Sequence, residues 1–447
     1  MQTSQAQENS ITAVTPGQAF LYWLKLGFIS FGGPAGQIAL MHTELVERRR
    51  WISEQRFLHA LNYCMLLPGP EATQLAIYIG WLMHRTAGGV VAGALFVLPS
   101  LIILILLSWI YLVWGSLPWV AGILYGIKPA VVAIVLAAAW RIGSRSLKNR
   151  WLMGIALLAF VAIMLGLPFP AIVLGAALLG VAGGRWLPAQ FAPGGGHSAS
   201  QQSYGPALID DHTPTPAHAR YSSRGLLTVS FSGLALGLVS WLLLAQWGGA
   251  QGVLAQLGWF FTKAAMLTFG GAYAVLPYVY QGAVEHYGWL TGPQMIDGLA
   301  LGETTPGPLI MIVAFVGFVG AWTHQVLGSE NLLLAGALGA SVATWFTFLP
   351  SFIFILAGGP LVESTRNNIR LTAPLTAISA AVVGVIVSLA VFFARHVFLL
   401  DQTPAHWDWT AMAIALAAAV ALMRYKMGTI PLIGICAALG WLLSLLR

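Results

Sequence analysis

The chain has 447 residues, of which 58% are hydrophobic and only 8% are charged, and its formal net charge is +7. Soluble domains carry about 25% charged residues, so this composition excludes a soluble globular protein and indicates an integral, polytopic membrane protein. Two cysteines far apart in apolar runs exclude a disulfide framework. We attribute the basic excess to cytoplasmic loops of a membrane protein rather than to nucleic-acid binding.

The first sixteen residues are polar and contain no apolar core of a signal peptide. Two pairs of short segments follow, each of about 14 to 16 residues, which is less than the roughly 20 needed to cross a bilayer as a helix. We therefore predict two hairpins that enter the membrane and turn back. The first is interrupted at Phe31-Gly32-Gly33 and the second at Pro68-Gly69-Pro70. Four long apolar helices are predicted after them, at about 88–114, 117–140, 151–167 and 170–184.

The stretch 188–224 is rich in Pro, Gly, Ser and His, which predicts a flexible cytoplasmic linker. One further helix, 226–246, has no counterpart in the first half. The remaining sequence then repeats the order of hairpins and long helices, with the long helices predicted at 331–357, 371–394, 410–423 and 430–446. The predicted domains are the tail 1–16, a first repeat 17–187, the linker 188–224 and a second repeat 225–447.

The two halves match without a gap at an offset of 238 residues, which identifies an internal repeat. Glycine-broken apolar segments at corresponding positions of two halves are typical of a transport site in a membrane protein. The motif Leu98-Pro99-Ser100 also recurs, at a larger offset, as Leu349-Pro350-Ser351. The matches at 238 include Lys25 with Lys263, Phe31-Gly32-Gly33 with Phe269-Gly270-Gly271, Glu47 with Glu285, Trp51 with Trp289, and Pro68-Gly69-Pro70 with Pro306-Gly307-Pro308.

The distribution of Lys and Arg predicts the topology. If every hairpin returns to its own side and every long helix crosses, a cytoplasmic N-terminus places only Arg395 and Arg447 outside. The unpaired helix 226–246 supplies an odd crossing, so the second half is inserted upside down and the C-terminus is periplasmic. The predicted fold is an all-α polytopic membrane protein with two inverted-topology repeats. The basic residues predicted in the cytoplasm are Arg48, Arg49, Arg50, Arg56, Arg85, Arg141, Arg145, Lys148, Arg150, Arg185, Arg220, Arg224, Arg366, Arg370, Arg424 and Lys426.

The helix breaks predict an anion site near the middle of the membrane. Irregular backbone is tolerated there only beside a cavity or buried in protein. A helix that starts after each break directs free N–H groups and the positive end of its dipole into the interior, which stabilises an anion. The predicted contacts are Lys25, Ser30, Gly32, Gly33, Pro34, Gly69, Pro70, Lys263, Thr268, Gly270, Gly271, Gly307 and Pro308.

Two lysines in apolar helices strengthen this interpretation. A cation inside the membrane costs at least about 2.5 kcal/mol, and no membrane acid recurs near both Lys25 and Lys263, so a bound anion would serve as their partner. Ser30 and Thr268 are expected to donate hydroxyls to it. The alternative interpretation is that the glycines only permit close packing and the lysines extend to the interface.

The halves differ at a few charged positions. Glu71 and Glu303 flank the Pro-Gly-Pro breaks and are candidates for proton coupling, although a Glu at a helix start also simply stabilises that end. His59 and its repeat partner Asp297 are weaker candidates, for which a satisfied buried polar residue is the simpler interpretation. Lys128 is either a third anion contact or a lysine that extends to the interface.

The duplicated order of these motifs resembles the chromate ion transporter (CHR) family, of the long, two-domain type. The resemblance rests on Phe31-Gly32-Gly33-Pro34, on Leu67-Pro68-Gly69-Pro70-Glu71 and on the second-half copies. It implies halves of opposite orientation and efflux of chromate from the bacterial cytoplasm across the inner membrane, which confers chromate resistance. Alternating access between the two hairpin sets is the expected mechanism.

Two alternatives remain open from the sequence. Sulfate and other tetrahedral oxyanions differ little from chromate in size and charge. A membrane-embedded chromate reductase would need a redox centre, but the sequence carries no His/Cys cluster, haem pair or dinucleotide fingerprint. We therefore expect a transporter and not an enzyme, with no cofactor and no metal. Its expected partners are the oxyanion and the lipid bilayer, and a homodimer is left open.

Overall fold

The computed structural model describes residues 14–31, 33–191, 204–211, 213–269, 271–364, 372–400 and 406–446. The first repeat contains α1 (Pro16–Ile29), α2 (Gly33–His42), α3 (Glu54–Cys64), α4 (Glu71–Trp114), α5 (Pro118–Ser146), α6 (Arg150–Met164) and α7 (Phe169–Trp186). The unpaired helix is α8 (Ser223–Gly248). The second repeat contains α9 (Val253–Met266), α10 (Ala272–Tyr280), α11 (Gly292–Thr304), α12 (Ile312–Thr323), α13 (Leu332–Ser364), α14 (Thr372–Phe398), α15 (Trp409–Met423) and α16 (Thr429–Leu446).

Seven of these helices are long and apolar enough to cross a membrane. The prediction of an all-α polytopic membrane protein is therefore confirmed. The one sheet in the described part of the chain is a pair of two-residue strands, β1 (Leu399–Leu400) and β2 (His406–Trp407), which are antiparallel and lie between α14 and α15.

The internal repeat extends to fine details of the backbone. A six-residue π-helical turn follows α2 at Thr43–Arg48 and another follows α10 at Gln281–His286, which is the same offset of 238 residues. The helices after these turns both begin at a capping hydroxyl. Ser53 accepts a hydrogen bond from a backbone N–H at the start of α3, and Thr291 does so at the start of α11.

The long element α4 is a helical hairpin. His84 and Arg85 have non-helical backbone angles, and Arg85 has φ of 58°. A Cβ added to Gly80 would lie 2.5 Å from the carbonyl oxygen of Gly88, so the chain turns back on itself at this point. The second repeat has the same close contact between α12 and α13, where a Cβ on Gly317 would lie 2.3 Å from the carbonyl oxygen of Gly339.

The closing helices of each repeat pack against those of the other repeat. Helix α5 contacts α15 and α16, whereas α14 contacts α6 and α7. Glycines permit the close approach, as small residues do in membrane helices. A Cβ on Gly126 of α5 would lie 2.0 Å from the carbonyl oxygen of Cys436. A Cβ on Gly384 of α14 would lie 1.9 Å from that of Ala156.

Part of the predicted flexible linker is attached to the first repeat. The backbone N–H of Ile209 donates to the carbonyl of Trp51 at 3.1 Å, and that of Ser53 donates to the carbonyl of Ile209 at 3.0 Å. The Ser53 hydroxyl also donates to Asp211 at 2.5 Å. This part of the predicted linker therefore lies against the loop between α2 and α3, where Ile209 is buried. Residues 192–203 lie outside the described ranges.

The hairpin contact in α4 gives a stability prediction. Alanine is the better helix former by about 1 kcal/mol, but at Gly80 its Cβ would overlap the Gly88 carbonyl. We expect Gly80→Ala to lower the free energy of unfolding by about 1–3 kcal/mol, as overpacking does. The measurement is the thermal unfolding midpoint of the purified protein in detergent.

The matched control is Gly154→Ala in α6, where an added Cβ would meet nothing within 4 Å. It is expected to be neutral or slightly stabilising. A Gly80→Ala protein as stable as Gly154→Ala would contradict the close packing of the hairpin.

Candidate functional site

The four helix breaks pair with one another across the two repeats. The backbone N–H of Gly69 donates to the carbonyl of Thr268 at 2.8 Å, and the backbone N–H of Gly307 donates to the carbonyl of Ser30 at 2.8 Å. Each Pro-Gly-Pro break is thus paired with the Phe-Gly-Gly break of the other repeat. We call these two pairs, Gly69 with Thr268 and Gly307 with Ser30, the junction. The two hydrogen bonds are related by the repeat, because Ser30 corresponds to Thr268 and Gly69 to Gly307.

Two buried glutamines complete the backbone pairing at the junction. The Gln37 Nε2 donates to the carbonyl of Gly307 at 2.5 Å and lies 3.3 Å from the carbonyl of Ser30. The Gln74 Nε2 donates to the carbonyl of Pro68 at 2.7 Å. These side chains pair carbonyls that the helix breaks remove from regular helical bonding. Unpaired backbone groups are expensive in an apolar interior.

The Leu-Pro-Ser motifs of α4 and α13 approach the glycines of the breaks. Gly69 has φ of +120° and Gly307 has φ of +100°, a region that glycine adopts without strain. A Cβ on Gly69 would lie 2.5 Å from Ser351 Oγ, and a Cβ on Gly307 would lie 2.8 Å from Ser100 Cβ. Each Pro-Gly-Pro break therefore lies against a serine of the other repeat, and only glycine fits at its centre.

Several buried polar atoms here have no partner among the described residues. They include the hydroxyls of Thr73 and Ser100 and the amide oxygens of Gln37 and Gln74. Thr73 is in the first turn of α4, directly after the Pro-Gly-Pro break. Buried polar groups are almost always paired with protein or water, so such a cluster indicates a place where water or a polar ligand binds.

The predicted glycines and prolines lie at helix starts around the junction. Gly33 and Pro34 open α2, and Gly33 has φ of +71°. Gly271 precedes α10 with φ of +102°. Pro70 precedes α4, and Pro308 precedes a short 3-10 turn, Leu309–Met311, that leads into α12. Gly32 and Gly270 lie outside the described residues.

The predicted hydroxyl donors are used within their own helices. Ser30 Oγ donates to the carbonyl of Leu26 at 2.6 Å, and Thr268 Oγ1 donates to the carbonyl of Ala264 at 2.7 Å. Both side chains are fully buried. In the structure, the carbonyl oxygens of Ser30 and Thr268 are the groups that contact the junction glycines, and an anion contact of the hydroxyls stays a prediction.

The structure does not bring Lys25 and Lys263 together. Lys25 is exposed, on the same side of α1 as the exposed Leu21 and Phe28. Lys263 lines a separate crevice of 1130 Å³ between α8, α9 and α13, with its Nζ 5.6 Å from the centre of the Trp259 ring. An apolar helix predicts that a lysine is in the membrane but not which face of the helix carries it. The proposed pairing of both ammonium groups on one anion is thus not supported.

The two glutamates differ in their surroundings. Glu71 is the first residue of α4 and is half-buried. Glu303 is buried in the last turn of α11 and accepts a hydrogen bond from the Tyr273 hydroxyl at 2.5 Å. In the described part of the chain, no group of three or more His, Cys, Asp and Glu side chains is placed to hold a metal ion.

Five polar side chains that line the junction were not predicted as site residues from the sequence. These are Gln37, Thr73, Gln74, Ser100 and Ser351. The duplicated Leu-Pro-Ser motif was a signal for two of them, since its recurrence beside the breaks was visible in the chain. Gln37 and Gln74 have no equivalent in the second repeat, where Val275 and Ile312 stand, so the repeat gave no signal for them.

An all-α membrane protein with an internal repeat, in which the broken helices of one half pair with those of the other, has the architecture of a membrane transporter. Comparison with known sequences agrees, since a model of the chromate transporter family matches residues 17–181 and 255–441. The chain belongs to the chromate transporter family.

Curated relatives cover nearly the whole chain. A chromate transport protein of Cupriavidus metallidurans is 30% identical over 437 residues, which is 98% of this chain and 95% of the relative. A chromate transport protein of Pseudomonas aeruginosa is 31% identical over 450 residues, 98% of this chain and 96% of the relative. A probable chromate transport protein of Synechococcus elongatus is 29% identical over 84% of both chains. No solved structure matches.

Proposed function

We propose that this protein exports chromate from the bacterial cytoplasm across the inner membrane, and so confers chromate resistance. The single observation that carries the proposal is the junction, where breaks from both repeats meet beside unpartnered hydroxyls. The substrate is inferred from the full-length relatives that are named chromate transport proteins.

The chemistry of the junction suits a tetrahedral oxyanion. Four helical segments begin around it, after Gly33, Pro70, Gly271 and Pro308, and helix starts favour negative charge. The hydroxyls of Thr73 and Ser100 supply two further donors. Chromate presents only acceptor oxygens, so donors without a protein partner are the groups it needs.

The membrane potential favours the proposed direction. Outward movement of a dianion, with the inside negative, is favourable by roughly 4.6 kcal/mol per 100 mV, twice the value for a single charge. The proposed orientation has the N-terminus in the cytoplasm and the C-terminus in the periplasm, which follows the excess of Lys and Arg on one side. Alternating access at the junction completes the proposal.

Proton coupling is proposed for the glutamates beside the breaks. Glu71 stands at a helix start that also favours the anion. A charged carboxylate and a bound dianion repel each other, so protonation of Glu71 would admit the substrate. Glu303, which Tyr273 hydrogen-bonds, is the second candidate.

The experiment that tests the function is chromate uptake by inside-out membrane vesicles, in which export appears as accumulation. Vesicles with the wild-type chain are expected to accumulate chromate above vesicles that lack it, and a tenfold excess of sulfate is expected to compete weakly. Strong competition would favour sulfate as the substrate. Accumulation equal to that of empty vesicles would refute transport of chromate.

The Thr73 hydroxyl can be tested in the same assay. Thr73→Val keeps the shape of the side chain but removes the donor, and we expect uptake to fall by roughly tenfold, since a hydrogen bond to a charged group contributes about 1.5–3 kcal/mol. The matched control is Thr344→Val in α13, whose hydroxyl donates to its own helix at 2.8 Å. Equal uptake by both variants would exclude Thr73 from the binding site.

The proposed role of Glu71 predicts that chromate uptake responds to a pH gradient. We expect wild-type uptake to change when a gradient is imposed, and Glu71→Gln to lose that response because its side chain cannot take up or release a proton. Glu330→Gln, an exposed surface change, is the control and is expected to respond as wild type does. A normal response in Glu71→Gln would remove Glu71 from the coupling.

A further inference from the structure

A further kind of contact between the repeats is present in two copies, one on each side of the junction. The Tyr111 hydroxyl of α4 donates to Asp297 Oδ2 of α11 at 2.9 Å. On the other side, His59 Nε2 of α3 lies 3.2 Å from the carbonyl oxygen of Val362 in α13. These are the same contact by repeat symmetry. His59 and Asp297 are 238 residues apart, and Tyr111 and Val362 share the larger offset of the Leu-Pro-Ser motifs.

Both contacts lie at the same distance from the breaks. His59 is nine residues before Pro68, and Asp297 is nine residues before Pro306. In each repeat the helix runs from this contact toward the break and ends shortly before it, α3 at Cys64 and α11 at Thr304. The His59–Val362 contact is on the side of the loop Arg48-Arg49-Arg50, and the Tyr111–Asp297 contact is near the far end of α4. The junction therefore lies between two contacts that join opposite repeats.

Each contact is reinforced by a buried carboxylate and a cation. On the far side, Lys128 Nζ of α5 lies 3.3 Å from Asp297 Oδ1. On the side of the arginine loop, Glu363 of α13 accepts a hydrogen bond from the Tyr78 hydroxyl, and Arg56 Nη2 of α3 lies 3.9 Å from Glu363 Oε2. Asp297 and Glu363 are both buried. The structure thus holds the repeats together by charged groups on both sides at once.

We propose that these two clusters are the gates of the transporter, the inner gate formed by Arg56, Tyr78 and Glu363 and the outer gate by Tyr111, Lys128 and Asp297. The inference rests on the proposed function. An anion at the junction must be reached from one side at a time, so the contacts between repeats on that side must separate while those on the other side hold. Charged pairs suit this role, because a partner lost from a buried pair leaves an uncompensated charge that favours opening to water.

Asp297 and Lys128 thereby acquire a common role. Each is the partner of the other. The described part of the linker contributes on the inner side. The carbonyl of Thr213 accepts a hydrogen bond from Arg56 Nη2 at 2.8 Å, and Thr215 Oγ1 lies 3.5 Å from Glu363 Oε2. The inner gate is therefore the more heavily reinforced of the two.

The test uses the full chain in which both native cysteines are replaced by Ala. Ser351→Cys then introduces a reporter cysteine, because Ser351 is fully buried against Gly69. Asp297→Asn or Glu363→Gln is then added, and the rate of reaction with a membrane-impermeant maleimide is measured in intact cells and in inside-out vesicles. We expect Asp297→Asn to raise labelling by roughly tenfold in cells, and Glu363→Gln to raise it similarly in inside-out vesicles, as loss of one charge-assisted hydrogen bond predicts.

The matched control is Asp408→Asn. Asp408 is also buried and accepts from a tyrosine, Tyr125, but it caps α15 rather than joining the hairpins, and Asn caps equally well. It is expected to leave labelling unchanged. If Asp297→Asn or Glu363→Gln does not fold, as judged by gel filtration, then Tyr111→Phe and Tyr78→Phe replace them, with smaller changes of the same sidedness.

Increased labelling from opposite sides supports the two gates. Increased labelling from one side only, or no increase over Asp408→Asn, overturns the proposal. Chromate uptake by the wild-type chain is measured in the same vesicles, so that an absence of transport, which refutes the proposed function, is distinguished from an error in the gates alone.

Discussion

The structure depends on pairing the backbone groups that broken helices leave open inside an apolar molecule. In lipid no water is available for an unpaired N–H or carbonyl, so a helix can break only where another part of the protein supplies the partner. Here each repeat supplies it to the other, through the hydrogen bonds from Gly69 to Thr268 and from Gly307 to Ser30. Neither set of hairpins could exist alone without exposing these groups. The breaks that define the site are thus also what binds the two halves together.

The two repeats nevertheless contribute different polar side chains around the junction. A fully symmetric site would bind an anion equally well from both sides. Gln37 and Gln74 come from the first repeat only, and Glu303 with Tyr273 from the second only. The described part of the linker reinforces the inner side. Because of this asymmetry, the inward-open and outward-open states of a carrier built from two repeats can differ in free energy.

The sequence predicted more of the fold than of the site. The repeat, the helix breaks and most helices lie where the sequence predicted them, because Gly and Pro act through local backbone geometry and long apolar runs act through length alone. The contact of Ile209 with the loop between α2 and α3 was not predicted, because a polar composition says little about one buried residue. The apolar helices that carry Lys25 and Lys263 predicted that both lysines lie within the membrane, but not which face of its helix each lysine is on. The predicted cluster of the two lysines was therefore not found at the junction.

By itself the sequence determined the class of fold, the doubling of the chain and the positions at which its helices break, since each follows from local chemistry or from residues repeated at one spacing. Only the tertiary structure decided that each Pro-Gly-Pro break is paired with the Phe-Gly-Gly break of the other repeat, and that Tyr111, Lys128 and Asp297 meet. Those contacts join residues far apart in the chain. Their geometry depends on how whole helices pack, which no local pattern of residues encodes.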